Sequence, residues 1–562
     1  MFLKFQHASS SLKSSTTMMK AFTLLCVLLL MMTLFQTSSR VHAIGSGGEC
    51  AGCVIVFRAV ESYVNYKQQP IDQALMEICS FLPDKLSSFC KLFITLEAEV
   101  LIKMLEERQT PDIICRELGP CKDFEQCTLF KRAVEYTSPR RRTLFRENWW
   151  RKLLDLIIAP FYNSLNNHLP FSDADGDLHS TEFNLRGSAW RGADCNDNDA
   201  SVYPGRKKTS LSPMYDHNCN GIYGYDEKGR SYEQLFCNDT ISKTMGVVVF
   251  GDSLSAHFRI PPELVQPQYM NAHTYSQLWE MLTNELDWPM LAWATGFLNS
   301  SYSDLTPGPS SSIYKHLRNH NRCIHRDYAT ISVNGARTGA MEDIIKTWTR
   351  DKFNDQPVLA FYSLVGNDVC HPAHNFDFTT PEEFERNVVV SLNYLDNILP
   401  AGSSVVFIGL AQGGYLFEFL KNQIHPLGVP YPDMYDYLNC LESNPCWGWM
   451  NTNATVRNIT SAQAALLSTV YDKIIQKYSF KQFKMYYHEF PLKGILDEWV
   501  KNGGQPKDLI EPFDGFHLSQ PGQSLMADYL WNWIKTEHPE IIGNPNPMNS
   551  EIIRVFGDQG GY

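Results

Sequence analysis

Positive charge is in short supply: 49 Lys and Arg stand against 61 Asp and Glu, for a net charge of −12. A nucleic-acid binder carries a basic domain, so that class is set aside. Charge of either sign is modest, at 20% of residues, while 44% are hydrophobic and 12% aromatic. That balance excludes a disordered chain and permits a large core. No internal repeat of solenoid or propeller period occurs. Long apolar runs are equally scarce. The one candidate, Ala21 to Phe35, is too short to span ~30 Å of hydrocarbon with margin. Lys13 and Lys20 precede it, and Val41 and Ala43 offer the −3 and −1 positions of a cleavage site. Residues 1–43 therefore read as a signal peptide, with an uncut anchor as the alternative, and no transmembrane span is expected afterwards.

Cysteine is plentiful. There are 15, and with Cys26 in the apolar run set aside the remainder is even, as a disulfide framework in an oxidising compartment requires. Asn238, Asn299, Asn453 and Asn458 each open an Asn-x-Ser/Thr sequon, in keeping with a glycoprotein that is secreted or held in lysosomes or other vesicles. A length of 562 residues allows three or four domains.

Residues 44–125 hold six of the cysteines: Cys50, Cys53, Cys79, Cys90, Cys115 and Cys121. Between them apolar residues recur at helical spacing, as at Val54, Phe57, Val60 and Val64, then Leu92, Leu96 and Val100. Short helices in so small a unit bury little core alone, so cross-links are the natural staple. The Cys-x-x-Cys opening and Cys-x5-Cys close resemble a saposin B-type domain. That resemblance implies nested pairs, Cys50 with Cys121, Cys53 with Cys115 and Cys79 with Cys90, and apolar helix faces disposed around lipid. A redox reading of Cys-x-x-Cys needs a βαβ context that is missing here. A closed, purely structural bundle is the remaining alternative.

Residues 126–170 read as a connector with a basic cluster, Arg140-Arg141-Arg142. The stretch 171–235 is dense in Asp, Asn and Gly. Asp173, Asp175 and Asp177 alternate around Gly176, which permits a tight turn, and alternate carboxylates deliver several oxygens to one hard cation. A second set is Asp194, Asn196, Asp197 and Asp199, and a third is Asp216, Asn218 and Asn220. The candidate ligands also take in His179, Val202 and Ile222. A standard EF-hand needs Glu at loop position 12 counted from Asp173, and Asn184 stands there. The expectation is a calcium-binding segment of structural role, with a merely solvated acidic face as the bland alternative. Cys195 and Cys219 lie inside two of the sets and could join them.

From residue 240 to 540, β-branched runs alternate with helical patterns, the mark of a parallel sheet between helix layers. The run Met245–Phe250 ends in Gly251-Asp252-Ser253. Ala329–Val333 ends in Asn334-Gly335, and Pro357–Val365 ends in Gly366-Asn367-Asp368. Two further runs, Ser404–Leu410 and Phe483–Tyr487, continue the sheet before Asp514-Gly515-Phe516-His517. Ligands of such sheets bind at the carboxyl ends of strands, so these polar endings should converge. Singly, each has a plain reading: a turn serine, a loop cap, a surface histidine. The nucleophile elbow Gly-x-Ser-x-Gly is not met, because Ser255 takes its second Gly position. Cys370-His371-Pro-Ala-His374 suits a disulfide better than zinc, and His257 receives no role. The tail 541–562 is turn-rich and is assigned no structure.

The four polar blocks, in this order, resemble the SGNH (GDSL-type) hydrolase family. The resemblance implies an α/β fold class: a three-layer α/β/α hydrolase domain behind an all-α saposin-like domain and an irregular calcium-binding segment. It implies Ser253 as nucleophile, His517 as base and then acid, and Asp514 as the group orienting His517. The N–H groups of Ser253 and Gly335 and the Asn367 amide would form the oxyanion hole. A serine hydroxyl is inert at its free pKa and needs such a base, held in one tautomer by a carboxylate.

The whole combination resembles the acyloxyacyl hydrolase family. That implies release of secondary fatty acyl chains from lipid A of bacterial lipopolysaccharide, with action on glycerophospholipids as well. It also implies a precursor cut into a small saposin-bearing and a large catalytic subunit joined by a disulfide. Arg140-Arg141-Arg142 lies where the cut is needed, and Cys127 could bridge to Cys440 or Cys446. A secreted phospholipase or esterase of broader specificity and a non-catalytic lipid carrier are the rival classes.

Overall fold

A computed structural model describes residues 46–130, 168–182, 186–188, 190–207, 212–238, 242–364, 366–371, 374–409 and 413–561. The signal segment 1–43 and the Arg140–Arg142 cluster lie outside the described residues.

The N-terminal unit consists of α1 (Ser46–Lys67), α2 (Ile71–Phe81), α3 (Asp84–Glu106) and α4 (Pro111–Glu117). Pro70 and Pro83 stand at the caps of α2 and α3, and Pro111 opens α4, where a fixed φ and a missing N–H cost nothing. The helices are longer than the cysteine spacing suggests, with α1 and α3 running 22 and 23 residues. Disulfides join Cys50 to Cys121, Cys53 to Cys115 and Cys79 to Cys90. The unit does not close on itself. Val54, Phe57 and Tyr63 share one core with Ile260, Leu264, Leu291, Leu427, Met434 and Phe513 from the rest of the chain. Arg58 Nε donates to the Leu427 carbonyl at 3.0 Å, and a disulfide fastens Cys127 to Cys440.

The central sheet is built from β1 (Gly246–Gly251), then, after the one-turn helix α5 (Ser253–Ala256), from β2 (Tyr328–Ser332). Helix α6 (Thr338–Ile344) precedes β3 (Val358–Ser363), α7 (Pro381–Ile398) precedes β4 (Ser403–Ile408), and α8 (Tyr431–Cys440) and α9 (Ala454–Lys477) precede β5 (Phe483–His488). Strand order is β2-β1-β3-β4-β5, every neighbouring pair parallel. All residues of β1 to β4 are buried, as expected for strands covered on both faces. Adjacent residues of β3 show the two layers. Phe361 meets the ring of Trp293, whose backbone N–H donates to the side-chain oxygen of Gln523 in α10 (Gln520–Glu537), while Tyr362 meets Tyr471 of α9. A capping box of Thr380 and Glu383 starts α7, and Ser519 caps α10.

The acidic segment is no free-standing unit. Arg191 forms an antiparallel bridge to Ala329, Gly192 N–H donates to the Tyr328 carbonyl, and Thr330 N–H donates to the Trp190 carbonyl. The segment thereby seals the outer edge of β2, which would otherwise expose unpaired backbone groups.

The tail departs from expectation. It forms α11 (Pro539–Ile542) and α12 (Asn549–Phe556). Ile552 is fully buried, Phe556 packs edge-on to Tyr232, and Asp558 takes ion pairs from Arg318 and Arg322. Contacts distant in sequence order this stretch, so its Asn, Pro and Gly punctuation misled. No described helix is long and apolar enough to cross a membrane.

Candidate active site

The site forms at the carboxyl ends of β1, β2 and β3. Gly251 closes β1 where only glycine fits, since a Cβ there would fall 2.5 Å from Ser255 Oγ and 2.9 Å from the Ser363 carbonyl. Asp252 then caps α5, its Oδ1 accepting Leu254 N–H at 3.0 Å, which places Ser253 first in the helix. His257, in the left-handed region at φ 60°, ends the turn and lies outside the catalytic contacts.

The Asp514–His517 loop meets this turn. His517 Nε2 lies 2.7 Å from Ser253 Oγ, and His517 Nδ1 lies 2.7 Å from Asp514 Oδ2. With Nδ1–H donating to the carboxylate, Nε2 is left as acceptor for the Ser253 hydroxyl. Asp514 Oδ1 accepts the N–H groups of Phe516 and His517, so the carboxylate cannot swing away. Ser253 and His517 are each 8% exposed, and the rings of Phe258 and Phe516 stand 5.1 and 4.9 Å from the imidazole. Burial alone would push the His517 imidazole down. The charge and hydrogen bond of Asp514, with Asp252 and Glu511 adding to them, outweigh that, and the net shift is upward.

Several supports of this loop escaped sequence reasoning. Glu511 N–H donates to the His517 carbonyl and Gly515 N–H to the Glu511 carbonyl, closing the loop on itself. The Glu511 carboxylate is buried against the Arg259 guanidinium, six residues beyond the serine. From α8, Tyr435 Oη donates to the Gly515 carbonyl, and the Tyr431 hydroxyl donates to that of Pro512. A signal existed: Arg259 sits between Phe258 and Ile260, and Glu511 follows Ile510, charged residues in apolar company.

On the opposite side, Gly335 follows β2 with φ 73°. The Asn367 amide donates to Asp252 Oδ2 at 3.0 Å and keeps a second N–H on the same nitrogen. Asp368 is fully buried and accepts both the N–H and the hydroxyl of Thr338, which pins this loop to the start of α6.

The acidic segment brings together five of the proposed ligands. Carboxylate oxygens of Asp173, Asp175 and Asp197 lie within 4.8 Å of one another, as do those of Asp175, Asp177 and Asp194. Asp175 Oδ2, Asp177 Oδ2 and Asp194 Oδ2 are buried without a hydrogen-bond partner. Burial, reinforced by Asp194, Asp175 and Asp173, pushes Asp177 up to about 7. Asn196 enters the acidic loop through its own N–H, which Asp194 Oδ1 accepts. Asp199 binds the N–H and hydroxyl of Ser201, and the His179 ring bonds the Gly192 carbonyl and stacks on Tyr203. Val202 and Ile222 are buried apolar side chains. Asp216 accepts the N–H groups of Asn220 and Gly221, while the Asn218 and Asn220 amides converge on Glu233, which the sequence did not single out. Cys195 is bonded to Cys219, Cys237 to Cys323 and Cys370 to Cys446. Asn238, Asn299, Asn453 and Asn458 are all exposed.

Comparison with known proteins agrees with this arrangement. The family GDSL-like Lipase/Acylhydrolase matches residues 247–530, and the Saposin-like domain matches 49–154. Acyloxyacyl hydrolase of Mus musculus is 38% identical over 545 residues, covering 92% of this chain and 94% of that protein. The Homo sapiens protein of the same name is 38% identical over 552 residues, with the same two coverages. Prosaposin of Gallus gallus is 30% identical over 78 residues, 14% of this chain and 15% of that protein. The chain thus belongs to the acyloxyacyl hydrolase family and is a lipid ester hydrolase of the GDSL type.

Proposed function

We propose that this hydrolase releases the secondary, acyloxyacyl-linked fatty acids of lipid A in bacterial lipopolysaccharide, from a secreted or lysosomal location, through an acyl-enzyme on Ser253. The hydrogen-bonded line Ser253–His517–Asp514 carries the reading. Ser253 Oγ attacks the ester carbonyl as His517 Nε2 takes its proton, and the C–O bond of the tetrahedral intermediate then breaks. The departing hydroxyl of the underlying acyl chain leaves with that proton. Water, deprotonated by the same nitrogen, cleaves the acyl-enzyme to fatty acid and free serine. The N–H groups of Ser253 and Gly335 and the Asn367 amide would hold the oxyanion, each donor worth roughly 3 kcal/mol. The saposin-like helices, docked beside Phe513, would present the lipid. The test is fatty-acid release from lipopolysaccharide against phosphatidylcholine vesicles. Loss of secondary chains with hydroxyacyl chains retained supports the reading, and equal turnover of both lipids favours the broader esterase.

Asp514→Asn should lower kcat by roughly 10²–10⁴-fold, because the imidazole loses its orienting partner. The acid limb of the pH–rate profile should also move to lower pH. His517 works as a base only when neutral, and Asp514 is the main influence holding its pKa up. A limb that stays put or rises would remove the orienting role.

Cleavage at Arg140–Arg142 fits a precursor whose halves remain joined through Cys127 and Cys440. The cut protein should run as one band without reductant and two with it. Cys440→Ser should release the small fragment without reductant, and retention would mean another linkage.

Asp173, Asp175, Asp177, Asp194 and Asp197 would hold Ca²⁺, a hard cation suited to an all-oxygen donor set with orphaned buried oxygens. Its part would be structural, neutralising carboxylates that otherwise repel.

A further inference from the structure

Beneath the oxyanion turn lies a buried charged group that hydrolysis leaves unused. Arg186, from the acidic segment, sets its guanidinium 2.8 Å from Asp287 Oδ2 and 3.3 Å from Glu285 Oε2. All three side chains are shut off from solvent. The guanidinium also stacks 4.1 Å from the Trp190 ring and donates to the Ser332 carbonyl at the end of β2. Asp287 Oδ2 accepts a second donor, Asn334 Nδ2, at 3.2 Å, and the same nitrogen reaches the Glu285 carbonyl at 3.4 Å. The Asn334 side chain is therefore anchored from below on two partners.

Asn334 directly precedes Gly335. Ala336 N–H donates to the Val333 carbonyl at 3.0 Å, which closes a four-residue turn with Gly335 in its third position. Positive φ in that position, here 73°, is the geometry of a type II turn. Type I and type II turns differ by a flip of the central peptide, the one joining Asn334 to Gly335. That peptide supplies the Gly335 N–H, so its orientation decides whether the donor faces the oxyanion or the opposite side. Buried ion clusters are weak devices for stability, and fixing register is their better-attested use.

We propose that Asn334, held by Asp287 and Arg186, is a positioning residue that keeps the Gly335 N–H aimed at the oxyanion. The inference rests on reading Gly335 as an oxyanion donor. Arg186 thereby links the acidic segment to the catalytic turn, although it touches no substrate.

The test uses the full chain with a soluble short-chain p-nitrophenyl ester and an alkylboronic acid. The boron adds to Ser253 Oγ as His517 takes the hydroxyl proton, giving a tetrahedral anion that needs the oxyanion donors. Asn334→Ala should lower kcat by about 10²-fold, the scale of a misplaced catalytic donor, with KM nearly unchanged. Boronate affinity should fall by a matching factor. Asp287→Asn, which keeps an oxygen facing Asn334, should restore most of the rate lost in Asp287→Ala. Because Asp287→Ala can fail to fold, Asn334→Ala is the primary variant, with its melting temperature measured alongside. An unchanged kcat, a slow variant with undiminished boronate affinity, or an Asp287→Asn protein as slow as Asp287→Ala overturns the proposal. Ser253→Ala, run in parallel, separates the two claims: if it stays active the serine reading itself is wrong, and if only Asn334→Ala is unaffected the positioning role alone fails.

Discussion

Ser253→Ala should leave a folded protein that still binds lipid yet releases fatty acid at least roughly 10⁴-fold more slowly, the scale of a lost nucleophile in a serine triad. Ser253 Oγ donates to His517 Nε2 across 2.7 Å, and its backbone sits in a turn fixed by Asp252, not by the hydroxyl. Removing one oxygen should therefore spare the fold: the melting temperature should move by no more than a degree or two, as for a substitution outside the core. Residual turnover would come from the oxyanion donors and binding alone. Fatty-acid release and vesicle co-sedimentation, measured on the same preparation, check both halves. Release that continues at the native rate would leave a lipid carrier with an idle hydrolase domain.

Sequence disclosed the parts of this site that lie at strand ends and hid those that brace them. Gly251-Asp252-Ser253, Asn334-Gly335 and Asn367 follow apolar runs, and a parallel sheet gathers such endings at one edge by its topology. Arg259 and Glu511 are separated by 252 residues, and Arg186 and Asp287 by 101. A charge in an apolar run tells of burial, but not of which distant charge will meet it. The acidic segment shows the limit differently. Asp and Asn at alternate positions serve a cation or their own backbone N–H groups equally well. Asp199, Asp216, Asp175, Asp177 and Asp194 all accept backbone N–H groups, and the last three also keep a buried oxygen apiece without a partner. The saposin-like domain was legible in its cysteines, yet its shared core with Ile260, Leu427 and Phe513 was not, because helical periodicity reveals a buried face without naming what covers it.

Chelation should destabilise the protein more than any single surface change. Five carboxylates are gathered by Ala174, Gly176, Asp177, Leu178, His179 and Asn196 N–H groups, which orient their oxygens but supply no full positive charge. A bound divalent ion at a hundred times its Kd adds roughly 2.7 kcal/mol to the folded state. Taking roughly 2–4 °C for each kcal/mol in a unit of this size, the Tm should fall by about 5–10 °C in EDTA and return when Ca²⁺ is added back. Mg²⁺ should restore less, because it demands a tighter octahedral shell than this open group of carboxylates provides. Asp175→Asn removes the carboxylate common to both groups of oxygens, so it should lower the Tm in Ca²⁺ and blunt the response to EDTA. Since the same segment seals the edge of β2 and carries Arg186 to the oxyanion turn, its loosening should be felt in the hydrolase itself. Hydrogen exchange at the β2 amides, faster in EDTA than in Ca²⁺, would register that coupling. A Tm and an exchange pattern indifferent to chelator would reduce the acidic segment to a solvated brace.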